Sequence, residues 1–288
     1  MSAIPDTNQR TRTDRCPGVL RPWPAADGLL VRLRLVGGRL PVASLARLLQ
    51  VSAEFADGSV YLTKRANLQL RGLPGREGRL DPAAVAAIES TGLLPSRSHE
   101  LVRNILVSPQ TGHAGGRVDL RVVAQQLDAL LCGDPQLGRL PGRFLFVLDD
   151  GRGDLIDRTA DAGLVALSAT EAQLRAGQNW GAVVHVADAA EQLTALARAF
   201  QAARGDGPDA PWHIRELPAP FGDVHAADAR LPDPSGPLPC GPVPGGTHVA
   251  VPGGVLTPEH GCSLLAHTDL VVTPWQGVFI PDAQETNP

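Results

Sequence analysis

Apolar and polar residues alternate along residues 28–35 (GLLVRLRL), the two-residue period of a half-buried strand, and Gly37-Gly38 breaks the run. Residues 41–50 then change period, placing Val42, Leu45, Leu48 and Leu49 on one face of a short helix. Alternation returns over residues 59–71, predicting a second strand closed by Gly72. Asp81 followed by Pro82 marks a helix start, and a helix over 83–90 ends at Gly92. Strand, helix, strand, helix in this order packs into an α+β layer.

Beyond His99 the pattern enlarges. A run over 104–109 precedes a turn rich in glycine (Gly112, Gly115, Gly116) and a helix over 118–131. Residues 143–148 (RFLFVL) read as a buried strand that ends in the turn Asp149-Asp150-Gly151. Strands over 163–167 and 180–186 and a long amphipathic helix over 188–204 complete a second, α/β module. Residues 208–246 are dominated by Pro, Gly, Asp and Ala, which predicts a connection with at most one strand, at 212–217. A final segment, 248–281, offers strand, short helix and strand, a weak echo of the opening module. The expected division is a disordered polar arm at 1–15, a first α+β unit at 16–95, the α/β module at 96–207, the connection at 208–246 and a partial repeat of the first unit at 247–282.

Composition narrows the partners. A net charge of −4 excludes a global basic field for nucleic acid. The first fifteen residues contain no apolar core of a leader, and no stretch reaches the ~18 apolar residues that span a bilayer, so a cytoplasmic protein without membrane contact is expected. The 31 Gly and 26 Pro imply many turns and long connections. Cys16, Cys132, Cys240 and Cys262 are scattered without any close pair, which offers neither a metal knuckle nor a disulfide framework.

Candidate chemistry sits on the second predicted strand. If residues 61–71 (YLTKRANLQLR) alternate as one strand, Thr63, Arg65, Asn67, Gln69 and Arg71 share a face. An ordinary wet sheet face is the plain reading, but two arginines flanking an Asn and a Gln form an array of planar donors suited to carboxylates. Arg103 and Asn104 form a second cluster, and Arg143 at the head of its strand a third basic point; they matter only if they converge. The loop Asp149-Asp150-Gly151-Arg152-Gly153-Asp154 lacks calcium-hand spacing and reads as a turn. None of the eight histidines has paired spacing.

These strings carry a resemblance. Leu62-Thr63-Lys64-Arg65-Ala66-Asn67-Leu68-Gln69-Leu70-Arg71-Gly72 resembles the strand motif of the nitrite and sulfite reductase ferredoxin-like half domain, and Arg103-Asn104 with Ser108-Pro109 and Leu140-Pro141-Gly142-Arg143-Phe144 follow in the same order. Within that superfamily Arg15-Cys16-Pro17-Gly18, the Asp149 to Asp154 loop and Thr273-Pro274-Trp275 are similar to the precorrin-3B synthase branch. The resemblance implies ferredoxin-like half domains around a central α/β domain. It also implies an oxidoreductase of cobalamin synthesis that hydroxylates a precorrin-type tetrapyrrole, using dioxygen and an electron donor. Arg65, Asn67, Gln69, Arg71, Arg103, Asn104 and Arg143 are the expected binding residues, with no catalytic residue assigned. Where the reductases carry a second lysine this chain has Leu145, which argues against sirohaem-dependent reduction of sulfite or nitrite. The family's [4Fe-4S] cluster is held by four downstream cysteines; the chain is expected to stop before them, as either a shortened enzyme or one dependent on a separate polypeptide for its cluster. A sirohaem-type reductase fragment and a non-catalytic tetrapyrrole-binding remnant are the alternatives.

Overall fold

In a computed structural model, residues 14, 16–207 and 209–283 are described; apart from Asp14, the predicted arm at 1–15 lies outside them. Along the chain run β1 (Trp23–Ala25), β2 (Gly28–Leu33), β3 (Arg39–Pro41), α1 (Val42–Phe55), β4 (Val60–Leu62), β5 (Leu68–Leu73), the small hairpin β6 (Gly75–Arg76) and β7 (Arg79–Leu80), and α2 (Pro82–Ser90). The middle of the chain forms β8 (Ile105–Val107), α3 (Arg121–Gly133), β9 (Phe146–Asp149), β10 (Ala162–Ala166), β11 (Glu171–Ala176), β12 (Asn179–His185) and α4 (Ala189–Arg204). The last part contributes β13 (Gly241–Val243), β14 (Gly246–Ala250), β15 (Val255–Leu256), α5 (Pro258–Leu264), β16 (Asp269–Val272) and β17 (Gly277–Pro281).

These strands form three five-stranded sheets. The first is ordered β1-β2-β5-β4-β15, the second β13-β14-β17-β16-β3, and the central one β12-β11-β10-β9-β8. The first and second are copies of one pattern that exchange a strand: β15 pairs with β4, and β3 pairs with β16. A Gly-Gly turn precedes each exchanged strand, with Gly37 and Gly38 at φ 59° and 72° and Gly253 and Gly254 at φ 62° and 70°. The echo heard in the sequence is thus strand-for-strand. Gly261 lies within α5; its missing side chain leaves room for Leu49 of α1, which a Cβ there would meet at 2.6 Å.

Two apolar cores meet at β9. Leu145 and Val147 face a core shared by the first two sheets, whereas Phe144, Phe146 and Leu148 face a second core beneath α3 and α4. Burial on both faces explains why this strand, parallel to β8 and β10, reads as an unbroken apolar run. Phe144 packs on Phe146 and Phe200 with ring centroids 5.0 and 5.1 Å apart.

Three local expectations change. Residues 59–71 are two antiparallel strands, β4 and β5, joined by a turn in which the Thr63 hydroxyl accepts the N–H groups of Arg65 and Asn67 and Ala66 takes φ 54°. Alternation could not show this, because Leu62 and Leu68 face each other across the hairpin and keep the apolar positions in phase. Residues 212–217 hold a single 3-10 turn (Ile214–Glu216), and β13 lies inside the stretch expected to be connection. The strand β11 was not foreseen; its sequence, EAQLRA, has low strand propensity and is imposed by pairing on both sides.

Candidate functional site

Arg32 of β2 and Gln69 of β5 are cross-strand partners on the outer face of the first sheet, and the Gln69 Oε1 accepts from Arg32 Nε at 3.2 Å and Nη2 at 2.7 Å. From the 63–66 turn Arg65 reaches across to the central domain, donating from Nη1 to the Arg143 carbonyl at 3.1 Å. Arg143 stands at the entrance to β9 with its guanidinium 5.0 Å over the Trp212 ring and its Nε 3.9 Å from Asp14 Oδ1. The buried carboxylate of Asp161 holds the Trp212 segment in place by accepting the Ile214 N–H at 3.0 Å and the Leu145 N–H at 2.9 Å and contacting His213 Nδ1 at 3.1 Å. Arg32 and Arg65 each feel the charge of Arg143, so three guanidiniums gather at the seam, hereafter the cleft, between the first sheet and the central domain.

The loops that build the cleft interlock. The Asp14 carboxylate accepts the Gly142 N–H at 2.6 Å and the Cys16 N–H at 3.1 Å, and a Cβ on Gly142 would stand 2.7 Å from that of Cys16. Glu100 pins the segment after Cys16 by accepting the Val19 and Leu20 N–H groups. Behind them lies a buried knot: Asn104 Oδ1 accepts from Arg34 Nε (3.2 Å) and Asn67 Nδ2 (3.3 Å), Asn104 Nδ2 donates to the Gly142 and Leu101 carbonyls (3.0 Å each), and Asn67 Oδ1 accepts the Leu35 N–H (2.9 Å). The glycine of the Leu-Pro-Gly-Arg string and the asparagine of the Arg-Asn string are thus parts of one joint.

Electrostatics in the cleft favour an anion. Burial holds the Arg32 and Arg65 guanidiniums below the ordinary arginine range, and each also feels the positive charge of Arg143. Arg34, deeper, is pushed down by burial to about 10 and stays charged at neutral pH. Neither Arg32 nor Arg65 makes an ion pair among the described residues. Burial, then the Asp14 carboxylate, raises the Cys16 thiol, so it is a neutral wall and no nucleophile. A carboxylate entering here would replace the water lost to Arg32 and Arg65 with charge-assisted hydrogen bonds.

The residues singled out from sequence fall into three groups. Arg65, Gln69 and Arg143 come together at the cleft. Asn67 and Asn104 are buried in the joint beneath it. Arg103 and Arg71 lie elsewhere: Arg103 forms a bidentate pair with Asp128 of α3 at 2.6 and 2.8 Å, and Arg71 pairs with Asp27 at 3.1 Å on the open end of β5. Arg32, Arg34, Asp14 and Trp212 went unnoticed. Two of them left a signal, since Arg32 and Arg34 are the polar members of the alternating run 28–35.

A model of the nitrite/sulfite reductase ferredoxin-like half domain matches residues 24–77, which carry Arg32, Arg65 and Gln69. That segment is a half domain of this family. Over 62 residues the chain is 39% identical to a precorrin-3B synthase from Sinorhizobium sp, a match covering 22% of this chain and 14% of that protein. The structure of Mycobacterium tuberculosis NirA superposes with a TM-score of 0.69 at 19% identity, covering 93% of this chain and 60% of NirA. The chain therefore spans less than two thirds of the NirA chain, and its match to the precorrin-3B synthase is a short one. The fold is α+β, of the sulfite/nitrite reductase type, with ferredoxin-like half domains around a central α/β domain.

An iron–sulfur cluster needs thiolates that converge. Cys16 is buried at the cleft, Cys132 is half-buried on α3, and Cys240 and Cys262 are exposed on different segments. Among the described residues no three His, Cys, Asp or Glu side chains are grouped to hold a metal ion. These residues do not fit a four-cysteine cluster. No helix among them is long and apolar enough to cross a membrane.

Proposed function

We propose that the cleft grips the peripheral carboxylates of a precorrin-type tetrapyrrole, and that the chain serves a precorrin-3B synthase-like oxidoreductase of corrin-ring synthesis that hydroxylates this substrate. The observation that carries the reading is the convergence of Arg32, Arg65 and Arg143 from three segments, with Asp14 the one carboxylate in ion-pair range of them among the described residues. A tetrapyrrole bearing several carboxylates supplies the missing negative charge at more than one point. The partial likeness to a precorrin-3B synthase supports the choice of ring. At the position where a second cation would complete a clamp for sulfite or nitrite, Leu145 turns into the apolar core, which weighs against the reductase alternative. On this reading the described residues bind and orient the ring. The electrons come from a separate donor, and the oxygen-activating centre from residues other than these, carried on another polypeptide or another part of the protein.

Uroporphyrin III, an octacarboxylate tetrapyrrole, is a practical probe. Quenching of tryptophan fluorescence should report saturable binding that weakens with salt. Arg65→Ala or Arg143→Ala should reduce affinity about tenfold or more each, the worth of a charge-assisted hydrogen bond, while Arg71→Ala changes nothing. Equal affinity in all three variants would refute the assignment of the cleft. Turnover of precorrin-3A to a product one oxygen atom heavier, with dioxygen and a donor fraction present, tests the reaction itself.

A further inference from the structure

A second cavity, of about 370 Å³, is bounded by α1, α3, β3 and β16 and includes Arg34, Arg39, Arg103, Arg121 and His113 in its lining, but none of Arg32, Arg65, Gln69 or Arg143. Strand register explains its origin. In the first sheet Arg32, Gln69, Tyr61 and Val255 form one row across β2, β5, β4 and β15. The corresponding row of the second sheet is His248, Phe279, Val271 and Arg39, across β14, β17, β16 and β3. Val271 and Phe279 point away from the core that takes Leu270, Val272 and Val278, so this row, like the other, is an outer face. The arginine of the second face sits at the opposite end of the row, on the exchanged strand. His113 closes over Phe279 with ring centroids 5.7 Å apart, which fills the end where the first face keeps its cleft and leaves the cavity beside Val271 and Arg39.

Charge and shape select a class of ligand. Arg103 and Arg121 are engaged by Asp128 and Asp119, but Arg39 is exposed and makes no ion pair among the described residues. Arg34 buries its Nη2 with no hydrogen-bond partner among them. The lining has one carboxylate, Asp269, against four arginines. The walls are apolar, from Leu35, Leu40, Leu93, Val107 and Val271, and the volume lies at the small end of ligand cavities. We propose that this cavity is a second binding site, for a small organic monoanion with an apolar body, in which Arg39 meets the acidic group and the leucine and valine walls take the rest. It does not rest on the tetrapyrrole reading: Arg34 of the joint behind the cleft lines it, but none of Arg32, Arg65 and Arg143 does.

The probe is 1-anilinonaphthalene-8-sulfonate, an aromatic sulfonate, titrated into the full chain at neutral pH. Saturable one-to-one binding is expected. Arg39→Ala, at an exposed position, should weaken it about tenfold. Ser44→Phe, which projects a ring from the first turn of α1 into the cavity, should abolish it, and Arg65→Ala should leave it unchanged. Near-ultraviolet circular dichroism identifies variants that keep the native fold, and Arg39→Ala decides alone if Ser44→Phe does not. Absence of saturable binding, affinity unaltered by Arg39→Ala, or loss of binding in Arg65→Ala overturns the proposal.

Discussion

Replacing Asn104 by alanine separates a structural joint from a ligand contact. Asn104 is 1% exposed and makes four side-chain hydrogen bonds, to Arg34, Asn67, Leu101 and Gly142, so that β2, the 63–67 turn and the Arg143 loop all lean on one amide. Alanine strands a guanidinium N–H, an amide N–H and two carbonyls in a site closed to water. Net values near 1 kcal/mol per neutral hydrogen bond, with more for the charged partner, give about 4 kcal/mol in all. That is a large share of the roughly 5–15 kcal/mol by which domains are stable. With a urea dependence near 2 kcal/mol per molar, the unfolding midpoint should fall by about 2 M. Asn104→Asp keeps the acceptor for Arg34 and Asn67 but loses both donors, so it should fall between alanine and wild type. Arg65→Ala, by contrast, should leave the midpoint within about 0.3 M of wild type while uroporphyrin binding drops. The measurement is equilibrium urea unfolding followed by far-ultraviolet circular dichroism. A midpoint for Asn104→Ala within about 0.3 M of wild type, with uroporphyrin affinity lost, would refute the joint and make Asn104 a ligand contact.

Two further outcomes follow from buried charge and from strand exchange. Burial, then the neighbouring Asp149, pushes Asp154 up to about 7. Its folded value exceeds the unfolded one, so the stability tied to its protonated form is full below about pH 4 and is lost as pH rises to about 7, on the order of a few kcal/mol. Asp154→Asn, which still accepts the Ser108 hydroxyl, should therefore raise the urea midpoint at pH 8, with the gain shrinking toward pH 4; a difference independent of pH contradicts this. Because β15 completes the first sheet and β3 belongs to the second, a fragment of residues 16–95 should show no cooperative unfolding, whereas a sharp two-state urea transition would show that the half domain folds without its exchanged strand.

Local sequence determined most of the elements. The alternating run at 28–35, the Asp81-Pro82 start of α2 and the long helix α4 appear where the pattern placed them, because each buries its face against whatever core is present, whereas the apolar RFLFVL string becomes strand only from Phe146 on. The strings Leu62 to Gly72 and Leu140 to Phe144 also sufficed for the family resemblance, since a motif needs only residue order. Tertiary structure decided which polar residues share a space. The 63–66 turn folds β4 back on β5 and carries Arg65 toward Arg143, 78 positions away, while Arg103 turns to Asp128 and Asn67 and Asn104 are drawn beneath the cleft. Alternation assigns a face but no depth, and it cannot see a partner contributed by another segment. Nor could it show that the two half-domain sheets exchange β3 and β15, because that pairing follows from burying one shared core between two incomplete sheets, an outcome of the whole chain and of no single strand.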